Sequence, residues 1–325
     1  MANSNIPRVF TSDPVVTDSL QIGDQIIRNG SMRTYLGNAA WLLSESDVVL
    51  PGTNYCVNSV LGSDGNDGLS WAKPLATIAK AITLAIAGDR ILIKGSFNES
   101  AVITAALVGV EIIGVGTGPN QAKWTSAADA YCLTLNAESC LVGNIKFSPP
   151  AYTAGVPAAI KLGNASYARI LGNRFQGKTG SFVAIYSPVC NSDNVEISDN
   201  EFIYMNNVTT VSGKCILGIA AGGLTYSAGK IKRNDFNAPR IGIELAARVS
   251  LIEGNHFRVN GLLANNTLGA VSAKLINLSG DLTGCNHIHG NYLGGTYGTG
   301  MYTPATNDDW AGNYNIAGIT AANPA

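Results

Sequence analysis

A six-residue phrase, aliphatic-x-x-Asn-x-aromatic, returns along this chain at intervals too long for a heptad and too short for a domain. It reads Ile170-Leu171-Gly172-Asn173-Arg174-Phe175, then Ile197-Ser198-Asp199-Asn200-Glu201-Phe202. It returns as Ile231-Lys232-Arg233-Asn234-Asp235-Phe236 and Ile252-Glu253-Gly254-Asn255-His256-Phe257. A looser copy, Ile288-His289-Gly290-Asn291-Tyr292-Leu293, follows, with echoes around Asn144 and Asn313. From Asn144 to Asn313 the asparagines are 29, 27, 34, 21, 36 and 22 residues apart. Repeats of this length define a solenoid, in which each unit buries its apolar face only against its neighbours.

Between the phrases lie short aliphatic runs: Val183–Ile185, Ile216–Ile219, Ile241–Ile243 and Leu275–Leu278. Gly, Asn, Ser and Pro bound them, as expected of short strands between turns. No stretch of this repeat region carries the 3.6-residue apolar period that a helical solenoid needs. Stacked β-coils place equivalent residues about 4.8 Å apart, the spacing of paired strands. The phrase then becomes three columns. Its Ile and Phe positions (Phe175, Phe202, Phe236 and Phe257) face a core. The asparagines (Asn173, Asn200, Asn234, Asn255 and Asn291) form a ladder in the turn, where Asn tolerates left-handed dihedrals. The pattern predicts an all-β fold, a right-handed parallel β-helix. Composition agrees: 13% of residues are charged, with 37 glycines and 31 asparagines.

Net charge is −1, which gives no drive toward nucleic acid or an anionic membrane. No segment has the length and polarity of a membrane span, and Met1–Pro7 lacks a basic-then-apolar leader, so synthesis in a cytosol is expected. The six cysteines are widely spaced with no C-x-x-C pair, and read as free thiols filling small core positions.

Residues 1–53 differ from the rest. Leu20–Tyr35 reads as alternating strands around Gly23-Asp24 and Asn29-Gly30 turns, followed by Trp41-Leu42-Leu43. So short a module holds little core of its own and is expected to lean on a partner. Residues 54–325 form the β-helix domain. Near its start, Pro74 suits a first helical turn, and Leu75, Ile78, Ile82 and Ile86 fall on one helical face. Gly88-Asp89 ends that helix, which covers the open end of the core.

The order Val57-Asn58, Gly62–Gly68 (GSDGNDG), Pro74-x-x-Thr77-Ile78 and Ala87-Gly88-Asp89-x-Ile91-x-Ile93-x-Gly95 resembles the start of the pectate-lyase-like β-helix superfamily. That superfamily includes polysaccharide lyases and hydrolases, and the tailspike, fibre and decoration proteins of tailed bacteriophages. The resemblance covers residues 54–316 and is one of fold. The N-terminal module, with Gly23, Asp24, Tyr35 and Trp41, resembles the small anchoring modules of phage fibres and spikes. Together these imply a virion protein, a homotrimer, docked on capsid or tail proteins through residues 1–53.

For chemistry, the column after the asparagines reads Arg174, Glu201, Asp235, His256, Tyr292. If Glu201 and Asp235 stack on successive coils, their carboxylates approach the separation of about 5 Å that a retaining glycosidase uses, with Arg174 or His256 assisting. Mixed charges kept for solubility and register are the plainer reading. The columns lack a lining of Trp and Tyr for sugar rings. Asp199 and Arg233 are expected to pair as a salt bridge. Asp64–Gly68 resembles a calcium loop but lacks its terminal Glu, so a turn held by Asx bonds is expected. His287-Ile288-His289 resembles the His-x-His pairs that can bind a metal on the symmetry axis of trimeric phage fibres. With three histidines in the chain and no Cys or carboxylate at ligand spacing, it reads as two surface histidines around a core Ile, and no metal or other cofactor is expected. Gly294–Tyr302 is rich in Gly and Tyr and suits either a contact surface or a closing turn. The expected function is a non-enzymatic capsid-decoration or head-fibre protein. The alternative is a tailspike or tail fibre that engages a host surface glycan, as a depolymerase or as a lectin.

Overall fold

The computed structural model describes residues 8–10, 25–28, 31–37, 40–43, 52–126, 130–148, 158–177, 182–188, 192–203, 213–218, 226–237, 241–258, 274–278, 285–294, 302–304 and 307–315. The chain divides into two compact units, Met1–Gly52 and Thr53–Ala325.

In the first unit, strands Arg8–Phe10, Gln25–Arg28, Ser31–Gly37 and Ala40–Leu43 make one sheet in that order. The first two run parallel and the other neighbours antiparallel. Arg28 pairs with Ser31, so only the expected Asn-Gly dipeptide joins those strands. Tyr35 pairs with Trp41 across the last hairpin, whereas Gly23 and Asp24 lie outside the described residues.

The second unit is a parallel β-helix. Among the described residues its strands form three long parallel sheets, of ten, nine and eight strands, and one two-stranded sheet that pairs Tyr226–Ser227 with Ala247–Arg248. One coil shows the path: Arg169–Leu171 in the ten-stranded sheet, Arg174–Gln176 in the nine-stranded, Phe182–Ser187 in the eight-stranded, then Glu196–Ser198 back in the first. The aliphatic runs between the phrases supply the eight-stranded sheet.

The repeat holds its register through the coils. Ile170, Ile197, Ile231, Ile252 and Ile288 pair in succession, as do Phe175, Phe202, Phe236, Phe257 and Leu293. All are buried. The rings from Phe147 to Phe257 stack nearly parallel, with centroid separations shrinking from 5.2 to 4.5 Å, and Trp124 caps the column. Stacked aromatic rings add a directional attraction to the area they bury.

The asparagine ladder is continuous and saturated. Asn234 Nδ2 donates to Ile197 O at 2.8 Å and to Asn255 Oδ1 at 3.0 Å; its own Oδ1 accepts from the backbone N and the Nδ2 of Asn200, both at 3.0 Å. The same pattern links Asn173, Asn200, Asn234, Asn255, Asn291 and Asn313, each at most 1% exposed. From Asn173 to Asn291 each side-chain amide has two acceptors, which is the condition for burying a polar side chain without large cost.

The asparagines themselves are not the left-handed residues that the turn chemistry suggested. The residue before each one turns the corner: Gly172, Asp199, Arg233, Gly254, Gly290 and Gly312 have φ between 51° and 63°. Asn144 also has positive φ, at 56°, because Phe147 pairs with Phe175 and so Asn144 aligns with Gly172. The echo around Asn144 is therefore one position out of phase with the ladder.

The helix is shorter than its apolar period suggested. It spans Ile78–Leu84, capped by Thr77, whose Oγ1 accepts from Lys80 N. Pro74 lies outside it, because Leu75 is held extended by a bridge to Val57. Ile86 is 68% exposed, beyond an extended Ala85 cap. Three carboxylates fix this end of the rod. Asp64 accepts from Ala76 N, Thr77 N and Thr77 Oγ1. Glu99 accepts from Ile78 N and Ala79 N at the helix start, where negative charge is favoured. Buried Asp89 accepts from Thr53 N and Ile86 N.

Cys56, Cys132, Cys140 and Cys215 are buried free thiols; burial pushes Cys132 up to about 12 and Cys140 to about 11. Cys285 is exposed, and Cys190 lies outside the described residues.

Candidate functional site

Strand alternation turns the residue before each core Phe outward, so stacking builds a surface column on the nine-stranded sheet. Arg174, Glu201, Asp235, His256, Tyr292 and Tyr314 pair one after another along it. Glu201 and Asp235 thus occupy adjacent strands, the arrangement that a two-carboxylate mechanism requires.

Both are engaged elsewhere. Arg174 Nε lies 3.1 Å from Glu201 Oε2, in ion-pair contact off the hydrogen-bonding direction. Asp235 receives both Nε and Nη2 of Arg258, the next coil's neighbour of Asn237. A glycosidase acid needs one carboxyl held protonated in an apolar setting. Here both groups are partly exposed on an open sheet against guanidinium groups. Two surface grooves lie at the first coils, one lined by Ile82, Val102 and Leu107, the other by Lys94, Asn120 and Gln121; neither is lined by Glu201 or Asp235.

The far end of the column corrects the expectation that it lacks aromatic lining. Tyr292 and Tyr314, 50% and 47% exposed, stack at 5.8 Å between centroids with planes 28° apart. His256 meets Tyr292 edge-on at 5.8 Å. Tyr314 follows Asn313 as Tyr292 follows Asn291, so the echo at Asn313 already carried this signal.

Asp199 and Arg233 form a two-pronged ion pair at 2.8 and 2.7 Å. The hydrogen bonds from Arg233 hold the Asp199 carboxyl below its ordinary range. In the Asp64–Gly68 segment, Asp67 Oδ1 accepts from Leu69 N at 3.0 Å in an Asx turn, and Asn66 Nδ2 donates to Pro74 O at 2.8 Å. Asp64 is turned onto the segment before the helix, so both of its carboxylate oxygens, like Asp67 Oδ1, accept hydrogen bonds from the chain itself.

The His287-Ile288-His289 reading requires correction on one point. A carboxylate does lie at ligand spacing, from the following coil: His287 pairs with Asp309. Asp309 Oδ2 is 3.2 Å from His287 Nδ1 and 2.9 Å from His289 Nε2. Aligning Asp309–Asn313 under His287–Asn291 predicts that contact, but 22 residues of sequence separate the partners. Gly295–Met301, most of the Gly- and Tyr-rich run, lies outside the described residues.

The sequence matches no protein-family profile and no curated protein. Among solved structures, the fold is similar to a GH136 lacto-N-biosidase from Eubacterium ramulus, with 13% identity and a TM-score of 0.55. The match covers 81% of this chain and 56% of that one, so the chain spans little more than half of the neighbour's length. Looser likenesses are the PL6 family alginate lyase AlyGC (14% identity, TM-score 0.48, 81% of this chain and 34% of that) and ORF18 of Geobacillus virus E2 (13%, 0.35, 92% and 71%). At such identity the first likeness is one of fold alone.

Proposed function

We propose that this chain is a non-enzymatic structural protein of a tailed bacteriophage virion, a right-handed β-helical rod of the decoration or head-fibre kind. Residues 1–52 dock it on a capsid or tail protein, and the rod assembles as a trimer. The observation that carries the non-catalytic reading is the ion pairing of Glu201 with Arg174 and of Asp235 with Arg258 on an open sheet face. The virion setting is supported by the resemblance of the N-terminal module to the anchoring modules of phage fibres and spikes, and by its forming a separate β unit.

Antibody labelling of purified particles tests the location, and Glu201→Gln with Asp235→Asn tests the chemistry. Label on the shell, with the double variant assembling normally, supports the proposal. Glycan cleavage by the natural protein that the double variant loses would overturn it.

The stacked Tyr292–Tyr314 pair beside His256 favours a second reading, a fibre or spike that holds a host surface glycan against this face. Its test is glycan binding by Tyr292→Ala and Tyr314→Ala. Binding that survives both changes refutes it.

A further inference from the structure

We infer that His287, His289 and Asp309 form a divalent transition-metal site, zinc being the ion their donors suit best, which clasps two neighbouring coils of the rod. Two imidazole nitrogens and one carboxylate oxygen are a donor set for zinc. The nitrogen and oxygen atoms concerned all lie within 4.8 Å of one another. Three ligands about 2.0–2.1 Å from a tetrahedral ion stand roughly 3.3 Å apart. Asp309 Oδ2 already lies 3.2 and 2.9 Å from the two nitrogens, so rotation of these exposed side chains can seat an ion among the three atoms.

The backbone holds these groups in place before any ion arrives. His287 and His289 flank Ile288, which is fully buried and pins the strand to the core. Ile288 O accepts from Asn313 Nδ2 at 2.7 Å, His287 N donates to Ser250 O, and Asp309 N donates to Asn286 O. Both strands are therefore anchored by the sheet and the ladder, and only side-chain rotation is left to adjust. The rings stand at 84° to each other with centroids 5.8 Å apart, converging on the carboxylate from two sides. Their outward faces leave room for water to complete the coordination. Glu253 pairs with His289 from the preceding coil and adds negative charge beside the site. All three ligands come from one chain, so the site needs no second copy.

The alternative is that Asp309 merely accepts hydrogen bonds from both histidines. Full-length protein without a histidine tag, stripped with a chelator and dialysed, separates the two by titration with zinc chloride alone in a calorimeter. The expected result is one zinc per chain, and an unfolding midpoint that rises with zinc. Loss of a ligand should weaken binding by at least the roughly 10–100-fold that outer-shell partners are worth. Asp309→Asn and the His287→Ala/His289→Ala pair should therefore bind at least about 10-fold more weakly, with no zinc-dependent rise in midpoint. Unfolding in chelator, where wild type and Asp309→Asn should agree, shows that the variant is folded. Zinc uptake by wild type no greater than by the double-histidine variant, or undiminished affinity in folded Asp309→Asn, would overturn the inference. Should Asp309→Asn fail to fold, His289→Gln gives the same reading from the other side of the site.

Discussion

Replacing Asn234 by Ala probes the ladder at its middle. The side chain makes four hydrogen bonds: Oδ1 with Asn200 N and Nδ2, Nδ2 with Ile197 O and Asn255 Oδ1. Alanine removes all four and strands two buried donors of Asn200, its backbone N–H and one amide hydrogen. It also takes a partner from Ile197 O. Asn255 Oδ1 still accepts from Asn234 N, at 3.0 Å, so that oxygen is not orphaned. A buried donor without a partner costs about 1–3 kcal/mol, so two donors and a weakened carbonyl give a loss of roughly 3–6 kcal/mol. Guanidinium unfolding followed by circular dichroism measures it, provided the slope is unchanged. Asn237→Ala, three residues along and outside the ladder, is the control and should stay within about 0.5 kcal/mol. Asn234→Asp keeps the acceptor but turns an oxygen toward two oxygens, so protonation is favoured in the folded state. A carboxyl with a raised folded pKa loses its stabilising contribution as pH rises, so the deficit of this variant should shrink on acidification. A loss below about 1 kcal/mol for Asn234→Ala, at constant slope, would refute the claim that saturation of the buried amides holds this corner.

Phe202→Ala opens the ring column at its centre and should cost about 3–5 kcal/mol in the same unfolding assay. Gly172→Ala meets no atom within 4 Å, so its cost is the left-handed backbone alone, about 1–2 kcal/mol by melting. The Asp199–Arg233 pair is half-exposed, so water and salt screen it and its contribution should be small. Because Asp199 is depressed in the folded state, that contribution is present above the ordinary carboxylate range and fades as pH falls below about 4; Arg233→Ala should flatten that part of the stability profile. Calcium chloride at millimolar levels should leave the midpoint unchanged, since both Asp64 oxygens and Asp67 Oδ1 already accept hydrogen bonds from their own chain and the loop lacks a terminal Glu.

The columns were legible in the sequence because a parallel stack repeats one chemical requirement per coil. Ile252, Asn255 and Phe257 each answer the same demand as their counterparts one coil away. The helix end was less legible, since its length is decided by neighbours: Leu75 is drawn into an extended bridge, and Asp89 draws Ile86 N away from the helix. The left-handed corner misled for a related reason. Glycine fills it in some coils, but Asp199 and Arg233 hold it in others. The cluster at Asp309 escaped because ligand spacing was sought along the chain, while stacking brings its members together across it.

The corner before each ladder asparagine has a constant length. From Leu171 to Arg174, from Ser198 to Glu201, from Lys232 to Asp235, from Glu253 to His256 and from His289 to Tyr292, two residues separate one sheet from the next. The 21- to 36-residue variation in coil length therefore falls outside this corner. The asparagine corner works as a keyway, fixing the angular phase of every coil whatever is inserted opposite. Segments at the other corners can be lengthened, shortened or exchanged between relatives without rotating the outward column, so the surface of such a rod can diversify while its axis stays true.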